Sequence, residues 1–217
     1  MVIRTALLCV PAFDEEAIGQ IRQLLRAQLP AAVVLQVDHT TGQRNLIEER
    51  LRRWCDEEEI DLVLTIGGTL PAPGPGRNEW VPEATQSVSE RIVPGLAELM
   101  RQHAAQESPL AWLERGVAGI RGRSLIVNLP AGAAAALLCL QAMIALLPPL
   151  FDHLQEDPMA PRLADDLEIM PTSAPLLLPD QSNAAATPAV TVAPASGATG
   201  LNAAEFAAFL QRRNAST

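Results

Sequence analysis

Across residues 1–155, short β-branched or aliphatic runs alternate with segments whose apolar residues recur at helical spacing, and this alternation constrains the fold more than any other feature. Residues 4–10 form an apolar run with strand character. Residues 15–29 carry Ile18, Ile21, Leu24, Leu25 and Leu29 on one helical face, with acids at the start that suit a helix dipole. A β-branched run (32–37), a charged helix with Leu46, Ile47, Leu51 and Trp54 on one face (46–55) and another strand (62–66) come next. The pattern predicts one helix over 82–102 with Pro82 in its first turn, then a strand pair across Gly119 and Gly122. A strand over 123–129 and a helix over 132–147 complete it. Repeated strand–helix units with short connections need a mainly parallel sheet covered by helices. The expected fold class is therefore α/β, a three-layer αβα sandwich over residues 1–155.

With 3% aromatic residues and no Tyr among 217, the core of such a sheet must come from Leu, Ile, Val and Ala. A formal charge of −9 leaves no basic face for a phosphate polymer, which excludes nucleic acid as a partner. All 16 basic residues are Arg, so neither a lysine nucleophile nor a lysine-based phosphate loop is available. Cys9, Cys55 and Cys139 lack metal-binding spacing and read as reduced thiols. His39, His103 and His153 lie far apart and read as surface residues, and Trp54 and Trp112 as packing residues. The longest apolar stretch, 131–151, starts rich in alanine and contains Pro148-Pro149, which suits a buried helix rather than a membrane span. With no signal-peptide pattern at the start, a cytoplasmic protein with no membrane partner is expected.

Beyond the sheet the composition changes. Residues 156–200 are rich in Pro, Ala, Ser and Thr, the composition of a flexible linker. Residues 201–213 recover helical spacing through Leu201, Phe206, Phe209 and Leu210, with Asn202 as N-cap and Glu205 three residues on. A short amphipathic helix is expected there, suited to docking on a protein partner.

Three stretches carry the chemistry. The strand 62–66 ends in Gly67-Gly68-Thr69, a turn that lets a ligand approach the backbone and adds a hydroxyl. Pro82 and Glu83 open the next helix. The strand 123–129 ends in Asn128-Leu129-Pro130 before Ala131-Gly132, which puts backbone amides at a helix start where a phosphate fits without a charged side chain.

In order, Asp61-Leu-Val-Leu-Thr-Ile-Gly-Gly-Thr69, Pro82-Glu-Ala-Thr85, Pro94-Gly-Leu-Ala-Glu-Leu-Met100 and Arg115-Gly-Val-Ala-Gly-Ile-Arg-Gly122 through Asn128-Leu-Pro130 resemble the molybdenum-cofactor biosynthesis family. This is the molybdopterin-binding fold shared by molybdopterin adenylyltransferases and the gephyrin G domain. The resemblance implies a three-layer sandwich, a homotrimer, and transfer of AMP from Mg-ATP to the terminal phosphate of molybdopterin with release of pyrophosphate. It implies Mg²⁺ as cofactor, with ATP and molybdopterin as substrates. It also implies contacts to those phosphates from Gly67, Gly68, Thr69, Arg77, Asn128, Pro130 and Gly132.

The chain departs from the family pattern at several places. Leu70 stands where a fourth glycine is usual, and the loop is lengthened by residues 71–77. Glu79 stands where the family has its catalytic Asp, and Val81 where it has Thr. Glu79 keeps the charge and is the expected Mg²⁺ ligand and catalytic acid. A second acid is expected after the second strand: Asp38 is the nearest, whereas counting back from the following helix lands near Gln43. After the first strand, Val10-Pro-Ala-Phe-Asp14 replaces the family's Ser-Asp-Arg and is shorter, and Asp14 reads as a helix-start acid. Trp80 reads as a loop anchor, with stacking on a pterin as the alternative. The rival to an adenylyltransferase is a pterin-binding or scaffolding module that keeps the fold without the chemistry.

Overall fold

In the computed structural model, the structure describes residues 2–74 and 79–156. The linker and terminal helix expected beyond them, and Arg77, lie outside the described residues. Six strands form one sheet in the order β2-β1-β3-β6-β5-β4, where β1 is Ile3–Cys9, β2 Ala32–His39, β3 Leu62–Ile66, β4 Arg91–Ile92, β5 Ala118–Arg121 and β6 Ser124–Leu129. The β2-β1-β3-β6 half is parallel, and β5 and β4 extend it antiparallel. The mainly parallel sandwich expected from the sequence is observed.

Alternating residues of the central strands feed two separate cores. Leu7, Cys9, Leu62, Leu64, Ile66, Leu125, Val127 and Leu129 point to one face. That face is covered by α1 (Glu15–Gln28), α4 (Pro94–Ala104) and α5 (Ala133–Met143). Ala6, Leu8, Val10, Val63 and Ile126 point to the other, under α2 (Arg44–Asp56) and α3 (Val81–Val88). Trp54, 1% exposed, fills this second layer. The chain steps from β1 to β2 in one direction and from β2 back past β1 to β3 in the other. Right-handed crossovers therefore put α1 and α2 on opposite faces and open a crevice at the carboxyl ends of β1 and β3.

The single helix expected over 82–102 is two helices with a strand between them. Pro94 has no N–H to continue a helix, and the residue before a proline is driven out of the helical region, as Val93 shows with φ −114° and ψ 77°. The Ser89 hydroxyl donates to the Thr85 carbonyl at 2.7 Å where α3 ends. The freed backbone then pairs with β5, with Glu90 N–H donating to Ile120 O and Val93 N–H to Ala118 O, each at 2.9 Å. Pro94 is the signal in the sequence for this break.

The apolar run after β6 also breaks. It forms α5, a 3₁₀ turn at Ile144–Leu146 and α6 (Leu147–Leu154). Pro148 and Pro149 cannot donate to the carbonyls of Ile144 and Ala145, so the α-helical ladder yields there. By length and composition Ala133–Leu154 could cross a membrane. Ala136, Leu140, Met143, Leu147 and Phe151 from it are instead fully enclosed by the first core. Trp112, expected to pack, is 59% exposed on a 3₁₀ turn at Pro109–Leu113.

Candidate functional site

The carboxyl ends of β1, β3 and β6 lie side by side, and each hands over to a loop leading to a helix N-terminus: α1, α3 and α5. Val10 N–H donates to Ile66 O and Gly67 N–H to Leu129 O, both at 2.9 Å, so the three loops start from one rigid edge. Gly67 and Gly68 have φ of +92° and +67°. A side chain on Gly67 would collide with the Val10 carbonyl, and one on Gly68 would come within 2.6 Å of the Val81 side chain. Both glycines are thus required by strain and by space.

Several expected ligand contacts are committed to the protein itself. Thr69 is 1% exposed, and its carbonyl accepts the Arg115 N–H at 3.1 Å. Asn128, also 1% exposed, donates to the Thr65 hydroxyl at 3.0 Å and the Thr85 hydroxyl at 2.8 Å, and accepts from Val117 N–H at 3.2 Å. Its side chain ties β6 to β3, α3 and the segment before β5. Pro130 is buried behind it. Gly132, with φ +87°, caps α5 and donates its N–H to Asp14 at 3.2 Å. The other Asp14 oxygen accepts from Ala17 N–H at 3.0 Å and caps α1. Asp14 therefore does more than start a helix: its charge joins two helix N-termini at the crevice.

Glu79 and Glu83 converge on the Arg115 guanidinium. It donates to Glu79 at 3.3 Å and also to Glu83, and the three side chains are 33%, 11% and 19% exposed for Arg115, Glu79 and Glu83 respectively. Asp38 lies elsewhere in the pairing scheme. It forms an ion pair with Arg50 of α2, and its carboxylate accepts the His39 N–H at 2.7 Å. The acid that shares a partner with Glu79 is thus Glu83, one helical turn along, which the sequence offers only as an acid for the helix dipole. The motif that begins at Arg115 is legible in the sequence, but nothing local marks Arg115 as the partner of these acids, which lie 32 and 36 residues away. Trp80 packs against the second core and anchors the start of α3.

Among the described residues no three His, Cys, Asp or Glu side chains gather as a metal cage. Two carboxylates sharing one positive centre nevertheless suit Mg²⁺, which takes one or two protein carboxylates and fills its octahedron with water and phosphate oxygens. The residues present fit that ion.

Behind the glycine turn a cavity of about 180 Å³ opens between α4 and α5, lined by Leu70, Arg101, Glu114, Pro130, Leu138 and Cys139. Burial pushes the Cys139 thiol up to about 12, so it is no nucleophile at neutral pH. Burial also pushes the Glu114 carboxyl up, against the lowering effects of the Thr69 hydroxyl and the Arg101 charge. A raised carboxyl pKa means stability that is full below the unfolded value of 4.5 and is lost as pH rises through the folded one. Glu114→Gln is therefore expected to raise the melting temperature at pH 7, with the gain vanishing towards pH 4. A gain independent of pH in thermal scans would refute this assignment.

A parallel-sheet crevice with a glycine turn, helix N-termini and an acidic pair beside it defines an α/β protein with its crevice where open sheets of this kind bind ligands. The family described as "Probable molybdopterin binding domain" matches residues 16–152, and the chain belongs to it. It is 38% identical over 128 residues to the molybdopterin adenylyltransferase of Helicobacter pylori, covering 59% of this chain and 70% of that protein. To the enzyme of the same name from Escherichia coli K12 it is 36% identical over 118 residues, 54% of this chain and 58% of that protein. The crystal structure of the molybdopterin biosynthesis enzyme MoaB from Thermus thermophilus superposes with a TM-score of 0.65 at 36% identity, over 71% of this chain and 98% of that one. The Mog protein of Mycobacterium ulcerans gives 0.61 at 25% identity, over 70% and 98%.

Proposed function

We propose that this chain acts in molybdenum-cofactor biosynthesis by binding molybdopterin and transferring to it the adenylyl group of ATP. The observation that carries the reading is the meeting of two carboxylates on the Arg115 guanidinium, whose backbone N–H is held by the Thr69 carbonyl of the glycine turn, in a chain 38% identical to a molybdopterin adenylyltransferase. A terminal phosphate oxygen of molybdopterin attacks the α-phosphorus of ATP. The new P–O bond forms as the bond to the bridging oxygen breaks, and pyrophosphate leaves with the electron pair. The nucleophile is already anionic, so no general base is needed, and positioning with charge neutralisation supplies the rate.

Gly67, Gly68 and Thr69 shape the turn against which phosphates lie, with the 130–132 turn beside it. Asn128 supports both from below. Arg77, between Gly68 and Pro82 in the sequence, is the further cation expected for the phosphates. Glu79, with Glu83, would hold Mg²⁺, which when bound would neutralise charge developing on the phosphates. Asp38 serves by tying β2 to α2 through Arg50. The reading carries with it a homotrimer working in the cytoplasm, and sedimentation measures the former.

The test is to mix the full-length protein with molybdopterin and Mg-ATP and follow adenylylated pterin and pyrophosphate. Equal amounts of both products support the enzyme. Pterin binding without either product leaves a binding module, whose partner would then be sought through the 201–213 segment.

A further inference from the structure

Arg115 stands at the point where Glu79 and Glu83 meet, and this arrangement carries a consequence for ligand binding. Two carboxylates in partly buried positions repel unless a cation serves both. In this structure the Arg115 guanidinium serves both, donating to each of them. Its backbone is held independently, because the Arg115 N–H donates to the Thr69 carbonyl of the glycine turn. Residue 115 is thus fixed beside the phosphate turn at its Cα, while its long side chain reaches over to the acids.

We propose that Arg115 is an exchangeable stand-in for the divalent cation: it neutralises Glu79 and Glu83 in the empty site, yields them when a metal–nucleotide enters, and turns its guanidinium to the incoming phosphates. This rests on the nucleotide-transfer reading above. An ion and a guanidinium compete for the same carboxylates, so removing the guanidinium must raise the site's affinity for a bare cation. The same removal must lower its affinity for a bare polyphosphate, since a planar fork that binds carboxylates also binds phosphates. A residue that merely braces the fold would move both affinities together, or neither. Arg115 is a positioning residue for the acids and a binding residue for the nucleotide.

The test uses the full chain and two titrations: Mn²⁺ alone, followed by the loss of its free-ion paramagnetic signal, and metal-free ATP, followed by calorimetry. Arg115→Gln is expected to bind Mn²⁺ about tenfold more tightly than the wild type and ATP about tenfold more weakly, the scale set by one charge–charge contact in a partly screened site. Arg115→Lys, which keeps the charge but not the fork, falls between on both axes. Arg121→Gln removes one charge away from the acids, with the loss of two bonds to Asp56 of 2.8 and 2.7 Å and one to the Val88 carbonyl of 2.9 Å, and controls for net charge. It leaves Mn²⁺ affinity unchanged.

Unaltered Mn²⁺ binding in Arg115→Gln, with circular dichroism matching the wild type, overturns the exchange. So does a gain that Arg121→Gln reproduces. If Arg115→Gln fails to fold, Arg115→Lys decides alone, and equal Mn²⁺ affinity to wild type overturns the idea. Wild-type protein that binds neither Mn²⁺ nor Mn-ATP defeats the nucleotide-transfer reading itself, an outcome distinct from the others.

Discussion

Glu79→Gln is expected to lower adenylyl transfer by roughly 100- to 1,000-fold while leaving the melting temperature close to that of the wild type. The side chain is isosteric and the amide can still accept from Arg115, so the fold loses little. What disappears is the negative charge that lets this position and Glu83 hold a divalent cation against the phosphates. Release of pyrophosphate from Mg-ATP and molybdopterin is the measurement, with pterin binding assayed in parallel. Glu79→Asp sharpens the result. It restores the charge but withdraws it by one methylene, and a displacement of about 1 Å costs up to about 100-fold where geometry governs the rate. An activity between the wild type and Glu79→Gln is expected. Equal activity in all three proteins would remove Glu79 from the chemistry.

The second large effect falls on stability. Asn128→Ala removes a side chain that makes three hydrogen bonds in a fully enclosed position. The hydroxyls of Thr65 and Thr85 lose their donor and the Val117 N–H loses its acceptor. Leaving buried polar groups unsatisfied costs about 1–3 kcal/mol each, so a total loss of about 3 kcal/mol is a conservative expectation. For a domain of this size that lowers the melting temperature by roughly 10 °C. Calorimetry of the variant measures it. At a temperature where the variant is still folded, its Michaelis constant for molybdopterin should match the wild type, because the side chain is enclosed. A changed Michaelis constant with an unchanged melting temperature would return Asn128 to the ligand site.

The same residue shows what sequence reading does well and where it stops. Asn128-Leu129-Pro130 is legible as a strand end before a helix, and the strand is there. Its side chain is expected to touch the ligand only through the family resemblance. Thr65 and Thr85, which claim it, lie 63 and 43 residues away, and no local pattern announces that. Gly67 and Gly68 are legible in kind: two glycines after a strand mark a turn with positive φ. That the Val10 carbonyl and the Val81 side chain exclude a Cβ at these positions follows only from the crossover that brings β1 and α3 against the turn. Pro94 offers the break in the 82–102 helix openly, and helical periodicity on either side conceals it.

Local pattern alone settles the layers. Short continuous apolar runs mark strands buried on both faces, period-3.6 repeats record which face of each helix is buried, and their alternation leaves a mainly parallel sheet between helices as the solution. It also settles the turn chemistry, since glycine and proline act through their own backbone torsions. The pairing of charges, by contrast, exists only once the chain is folded. Glu79 meets Arg115 and Glu83, Asp38 meets Arg50, and Asp14 meets Gly132 because the fold delivers distant loops to one edge of the sheet. Coulombic and hydrogen-bonding partners depend on distances of a few ångströms between segments far apart in the chain. Hydrophobic periodicity constrains each segment separately and leaves those distances open.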